Sequence, residues 1–290
     1  MGSDNLSFKR KERKYIILEH TFEAIKKELE KHIPLYSFEG EDPNTQIETI
    51  YLDTKDFLLF NEYLRRRNFR YKIRMRKYGH NDVFEDTYLV ELKVKQNSIS
   101  IKKRFFLPVK LYKKFITGED ILKEIRVANK GLVGATKTYK LIAKLIEINQ
   151  FVPVLKTTYE RLAFQKKSKK IRLTIDRNIK HEKLLGRKKH TSLDAMVLES
   201  KVMGKTPKWH KKMVNKLSLL KQARFSKFAT GLNSAYFPNR GKYNFFDDFD
   251  DTTNEIPEAI LKSFDMLIKP LQLSEDFGTE PELEAEVSNE

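Results

Sequence analysis

The sequence predicts an α+β protein whose strands, about eight of them, bury their apolar faces under helices and turn their charged faces to a common interior. Three observations predict it. Strand-length runs alternate, with apolar residues on one side and cations on the other. Amphipathic helical stretches are interleaved with these runs. The cations lie on the strands themselves rather than in a basic tail.

Read in order, Glu12–Leu18 is the first strand, with Glu12, Lys14 and Ile16 on one face. Thr21 can cap a helix reaching His32, whose apolar side is Phe22, Ile25 and Leu29. Gly40–Asn44 is a turn, Ile47–Leu52 a strand, and Thr54 caps a short helix through Tyr63. The most charged strand is Arg70–Tyr78, with Arg70, Lys72, Arg74 and Arg76 opposite Tyr71, Ile73 and Met75. Like charges side by side on a sheet repel. The strand is therefore either a solvated edge or a row facing a polyanion, and repetition elsewhere decides.

After a turn at Gly79–Asp82, Tyr88–Lys95 places Leu89, Glu91, Lys93 and Lys95 together, and Ser100–Leu107 places Lys102 and Arg104 together. Two or more helices fill Val109–Gln150, punctuated by Pro108, Gly118, Gly131 and Gly134. Three strands follow Pro153: Thr157–Gln165 with Tyr159, Arg161 and Gln165 on one face, Ile171–Asp176 with Arg172, Thr174 and Asp176, and Val197–Val202 with Glu199 and Lys201. Thr206 and Pro207 open a helix to Leu217, and Ser226 opens another to Ala235.

The net charge is +17, unevenly spread over 290 residues. Asp247–Glu290 holds fourteen acidic residues and only two basic ones, Lys262 and Lys269, so Met1–Phe246 carries +29. Residues 1–246 are expected to form one tunnel-bearing domain. Residues 247–290 are expected to be an acidic, solubilising tail, with one helix at Pro257–Ile268 and a disordered end. There is no cysteine, hence no disulfide framework and no thiolate metal site. No apolar run reaches the ~18–20 residues that span a bilayer. Met1–Lys14 is polar and basic rather than a signal segment, so a cytoplasmic protein is expected. No GxGxxG, P-loop, nucleophile elbow or His-Glu-x-x-His motif is present. The six histidines show no zinc-like spacing and are read as surface residues; Trp209 is read as a helix-packing residue.

If the sheet closes on itself, its charged faces line a tunnel. Buried like charges are costly unless a counter-ion neutralises them. A chain of phosphates is the natural one, with arginine forks and lysine point charges as ligands. Carboxylates among those cations then suit a divalent metal bridging phosphates. Glu199 is the candidate metal ligand. Glu91 either orients Lys93 or takes part in the same chemistry, and Tyr159 is either a ligand or core. Ser226 with Lys227 at a helix start makes an anion site, where most such pairs are only a cap and a surface lysine. Arg172 and Lys201 join the phosphate-binding set by their place on the charged faces.

These pieces together resemble the polyphosphate polymerase domain of the vacuolar transporter chaperone family, a branch of the triphosphate tunnel metalloenzymes. The resemblance spans roughly Phe8–Ala235. It is carried, in order, by Glu12-Arg13-Lys14-Tyr15, Thr49–Asp53, Ile73–Gly79, Val90–Lys93, Ile101–Phe105, Tyr159–Phe164, Ile171–Asp176, Leu198–Lys201 and Arg224–Phe228. It implies a closed antiparallel barrel of about eight strands with helices outside. It also implies a reaction: the terminal phosphoryl group of ATP passes to a growing inorganic polyphosphate chain, with Mn2+ or Mg2+. Lys14, Arg74, Arg76, Lys93, Lys102, Tyr159, Arg161, Ser226 and Lys227 would hold phosphates, and Glu199 the metal. A further family arginine matches Arg65 or Arg66; the spacing leaves both open. Nucleic acid is not an expected partner. Hydrolytic members of the superfamily open with Glu-x-Glu-x-Lys, whereas this chain has Arg10 where the first glutamate would stand. That departure suits the polymerase branch over the alternative, a tripolyphosphate or nucleoside triphosphate hydrolase. A non-catalytic polyphosphate-binding protein is the third possibility.

Overall fold

A computed structural model describes residues 10–37, 42–65, 68–96, 99–166, 171–217, 219–221 and 225–238. The acidic segment 247–290, its expected helix, Arg66 and Arg224 lie outside the described residues. The strands are β1 (Arg10–Ile17), β2 (Leu35–Tyr36), β3 (Asn44–Asp53), β4 (Phe69–His80), β5 (Val83–Phe84), β6 (Thr87–Gln96), β7 (Ile99–Pro108), β8 (Val152–Lys166), β9 (Ile171–Lys183), β10 (His190–Ser192), β11 (Met196–Met203) and β12 (Leu220–Lys221). The α-helices are α1 (Phe22–Glu30), α2 (Leu58–Leu64), α3 (Tyr112–Thr117), α4 (Leu122–Ala128), α5 (Ala135–Asn149), α6 (Lys208–Lys216) and α7 (Lys227–Tyr236).

Alternation in the sequence becomes one antiparallel sheet in the order β12-β1-β11-β9-β8-β3-β4-β6-β7, with β10 on β9, β2 on β8 and β5 on β4. The expected closed barrel is not found: among the described residues the hydrogen-bond ladder ends at β7 and β12. Both ends have local reasons. The Asn129 carboxamide donates to the Phe106 carbonyl at 2.8 Å and accepts the Phe106 amide at 2.6 Å, so a side chain stands where a neighbouring strand would pair. At the other end β12 takes the edge of β1 at Tyr15 and Ile16. The sheet nonetheless curls. Lys93 of β6 interacts electrostatically with Glu12 and Lys14 of β1, and Lys102 of β7 with Lys201 of β11.

The outer face is apolar and covered by helices. Ile25 and Leu29 of α1 and Met213 of α6 pack on Tyr15, Ile17, Phe164, Leu173 and Leu198. Trp209 packs there too and stacks on His32 at 4.5 Å, as a helix-packing residue should. Over β7, Phe105 meets Phe115 and Tyr139 edge-on. The helix α7 departs from the expectation that helices lie outside. Tyr51 sits opposite Arg74 and Leu155 in the ladders, and so on the inner face, yet both Tyr51 and Leu155 pack against Phe228 and Leu232 of α7. The inner face is apolar at that end, and α7 with α2 covers it. Gly231 permits the approach: a Cβ there would meet His181 Nδ1 at 2.5 Å and Leu155 Cδ2 at 2.7 Å.

Other differences are local. The Thr21 hydroxyl donates to the Leu18 carbonyl at 2.7 Å instead of capping α1. Thr54 does accept the Leu58 amide at 2.9 Å. The strand β8 begins before Thr157 and includes Pro153, which lies opposite Leu52 beside a register shift. The strand β9 continues past Asp176 through an irregularity at Asn178, whose φ is 52°. Two histidines read as surface residues are core: His181 and His210 are 2% and 1% exposed. Among the described residues no helix is long and apolar enough to cross a membrane.

Candidate functional site

Register places the charged residues on one face. Glu12 and Lys14 of β1 lie opposite Lys201 and Glu199 of β11, and these lie opposite Arg172 and Thr174 of β9. Arg161 of β8 lies opposite Asp176 of β9. Lys72, Arg74 and Arg76 of β4 lie opposite Lys93, Glu91 and Leu89 of β6, and Lys93 and Glu91 opposite Lys102 and Arg104 of β7. A period of two on each strand and antiparallel pairing between strands are sufficient to build this cationic surface.

Three carboxylates organise it. Glu91, 2% exposed, accepts from Arg74 Nε at 2.6 Å and lies 3.6 Å from both Lys102 Nζ and Arg104. Burial opposes its charge, yet Arg74 and Arg76, with Lys102 and Arg104, hold its carboxyl well below the usual range. Asp176, fully buried, forms a two-point pair with Arg161, Nε to Oδ1 at 2.6 Å and Nη2 to Oδ2 at 2.9 Å, and accepts from Lys227 as well. Against burial, Arg161 and Lys227 bring Asp176 down to about 2. Glu199 pairs with Lys201 at 2.7 Å. Burial raises its pKa, but Lys201, Lys14 and Arg161 together leave it lowered.

The start of α7 enters this surface. Ser226 caps the helix, its hydroxyl accepting the Ala229 amide at 3.5 Å. Lys72 donates to the same hydroxyl at 3.0 Å and lies 4.0 Å from the centre of the Tyr63 ring. Lys14 donates to the Phe225 carbonyl at 3.1 Å. The Lys227 ammonium sits 4.6 Å from the centre of Tyr159, a residue 4% exposed. Burial would raise the Tyr159 phenol, but Arg76, Arg161 and Lys227 lower it. Tyr159 is thus both core and lining: it packs with Ile47, Ile179 and Val197 while its ring bears two cations.

The expected site residues on the described strands and at the start of α7 face this one surface. Arg65 is the C-cap of α2, the helix that lies with α7 over the inner face. Asp176, Arg104 and Lys72 lie on the same surface, and sequence reasoning assigned them no individual role. Alternation places Arg104 with Lys102 and Asp176 with Arg172; that Arg104 lies opposite Glu91 and Asp176 opposite Arg161 came from the register. Glu91 orients Arg74 rather than Lys93. Mn2+ or Mg2+ takes one or two carboxylates and completes its shell with phosphate and water oxygens. Glu199, with Glu12 diagonal to it across the β1–β11 ladder, matches that donor set. Among the described residues no group of three acidic or histidine side chains forms a ready-made metal cage.

Fold and site together define a class: a curled antiparallel sheet with a cationic interior, covered at one end by α7. The VTC domain family matches residues 9–236, and the chain belongs to that family. A relative is the vacuolar transporter chaperone complex subunit 2 of Saccharomyces cerevisiae, 31% identical in a 148-residue alignment that covers 46% of this chain and 18% of that protein. The chain therefore matches less than a fifth of that relative's length. Among solved structures, a Pyrococcus horikoshii protein aligns at 12% identity and TM-score 0.42, over 78% of this chain and 99% of its own. A Bacillus halodurans protein, provisionally described as an adenylate cyclase, aligns at 15% identity and TM-score 0.43, over 76% of this chain and 95% of its own.

Proposed function

We propose that the protein transfers the terminal phosphoryl group of ATP to the end of an inorganic polyphosphate chain in a cytoplasmic setting. One observation carries the reading. Lys14, Lys72, Arg74, Arg76, Lys93, Lys102, Arg104, Arg161, Arg172, Lys201 and Lys227 outnumber the inner-face carboxylates Glu12, Glu91, Asp176 and Glu199 by more than two to one. A surplus of that size on a largely enclosed face asks for a polyanion.

In the transfer, an oxygen of the polyphosphate end forms a bond to the γ-phosphorus while the bond to the bridging oxygen of ADP breaks. ADP leaves with that electron pair. The attacking oxygen is already ionised at neutral pH, so the work is positioning and charge neutralisation. Arg74 and Arg76 supply forks for phosphate oxygens, and Glu91 fixes the Arg74 guanidinium at 2.6 Å so that it is presented in one orientation. Asp176 does the same for Arg161 and Lys227. Lys14, Lys93, Lys102, Lys201 and Arg172 neutralise the chain along the strands, with Ser226 as a hydroxyl donor. Glu199 would hold Mn2+ or Mg2+, which when bound neutralises charge on phosphate oxygens.

Purified protein incubated with ATP and Mn2+ should yield long polymer, resolved on a gel and digested by an exopolyphosphatase, together with ADP. Orthophosphate or pyrophosphate alone would indicate the hydrolase instead. Glu199→Gln should lower turnover on the order of a hundredfold and leave polyphosphate binding intact or slightly tighter, because a negative charge is lost. Arg74→Ala should weaken both. Normal turnover by Glu199→Gln across a Mn2+ titration would remove Glu199 from the metal site. A second reading, polyphosphate binding without chemistry, is favoured by one contact: Lys201 already holds Glu199 at 2.7 Å. Tight binding with no ADP release would support it.

A further inference from the structure

The α4–α5 hairpin stands beside β7 and ends in a turn that the proposed chemistry does not use. Two valines at this tip lie in water: Val127 is 81% exposed and Val133 98%. Gly131 and Gly134, at φ +87° and +80°, turn the chain between them, and a Cβ built on either would touch nothing within 4 Å. The tip therefore protrudes. Flanking the valines along the chain are Arg126, Lys130 and Lys137, all exposed, and one exposed acid, Glu124, three residues before Val127 on α4. From Ile125 to Ile146 there is no carboxylate at all, although Lys140 and Lys144 extend the exposed side of α5. Only Glu147, paired with Lys144 at 3.0 Å, ends the run.

A single exposed valine needs no explanation. Two on either side of one connection, Val127 in the last turn of α4 and Val133 beyond it, with three exposed cations against one acid, are a different matter. Apolar side chains that enter the headgroup boundary, flanked by cations that stay among the phosphates, are how a folded domain rests on an anionic bilayer. A protein partner would need a pocket cut to this apex, whereas a bilayer yields to it. We propose that the α4–α5 tip docks the protein on an anionic lipid surface, with Val127 and Val133 entering the headgroup region and Arg126, Lys130 and Lys137 meeting lipid phosphates. The inference does not depend on the reaction assigned to the interior.

The test is sedimentation of the full chain with phosphatidylcholine vesicles and with vesicles about a third phosphatidylserine, at about 0.15 M salt, where screening acts beyond ~8 Å. A basic interior also attracts acidic lipid, so the deciding variant is neutral in charge. Val127→Ser/Val133→Ser should cut partition into the serine-containing vesicles on the order of tenfold, while polyphosphate binding stays that of the parent. Val133→Trp should show blue-shifted emission on those vesicles and quenching by lipids brominated along the acyl chain; the parent tryptophan, Trp209, stacks on His32 and provides the background. Equal partition of the double serine variant and the parent would overturn the proposal. So would an unquenched Val133→Trp signal, or binding to polyglutamate with none to vesicles.

Discussion

Asp176 shows how one residue sets the charge of a whole surface. It is fully buried, and it holds Arg161 through the two donors Nε and Nη2 of one guanidinium edge, and Lys227 from the neighbouring helix. Removing its charge without changing its shape leaves two cations facing each other in a water-poor site. Asp176→Asn should lower unfolding stability by ~3 kcal/mol, measured by urea titration. Polyphosphate should restore more stability to this variant than it adds to the parent, because phosphate then takes the place of the lost carboxylate. Equal ligand-induced gains in the two proteins would mean that Asp176 does not border the anion site.

Among the elements, β7 is the instructive one. Its free edge is guarded at Phe106 by Asn129, which also donates to the Ile125 carbonyl at 2.8 Å and so ties α4 to the sheet. Asn129→Ala leaves a strand amide and two carbonyls without those partners. We expect a loss of ~2 kcal/mol in urea unfolding, with the backbone amide of Phe106 losing protection from hydrogen exchange. The helix α7 offers a parallel case in packing. Its Gly231 lies against His181, whose imidazole burial, with help from the Lys227 charge, pushes its pKa down to about 4. That ring is therefore neutral packing material at physiological pH, and α7 can press against it.

The whole molecule carries its electrostatic tension in the lysines of the interior. Burial, then Arg104 and Arg74 against the pull of Glu91, pushes Lys102 down to about 7. Burial also lowers Lys72 and Lys201; at Lys72 the charges of Lys93 and Lys14 add to it. In the unfolded chain these groups titrate near the ordinary lysine value of 10.5. Between about 7 and 10.5 the unfolded chain thus binds more protons than the folded one, and stability rises with pH across that window. The empty protein should melt at a higher Tm at pH 9.5 than at pH 7.5. Saturating polyphosphate should raise Tm more at the lower pH, since it favours the charged lysines. Scanning fluorimetry at constant ionic strength checks both. A ligand-induced gain that grows with pH would contradict this account.

Much of this protein was legible in the chain itself, because the site is written with period two. Lys72, Arg74 and Arg76, or Lys102 and Arg104, share a face on any extended backbone, and the order of the motifs was sufficient to identify the family. Local chemistry also marked the helix starts at Thr54, Pro207 and Ser226. Three things depended on contacts between residues far apart in sequence. Among the described residues, where the ladder ends was decided at its edges, by Asn129 on β7 and by β12 on β1. Which carboxylate serves which cation depended on register: Glu91 faces Arg74 and Arg104 because β4, β6 and β7 align there, and Asp176 faces Arg161 because β8 and β9 do. That α7 lies on the inner face rather than outside followed from Tyr51 and Leu155, which make one end of that face apolar. A sequence states which residues can share a face; only the fold decides which faces meet, since that choice is made by packing and pairing across the chain.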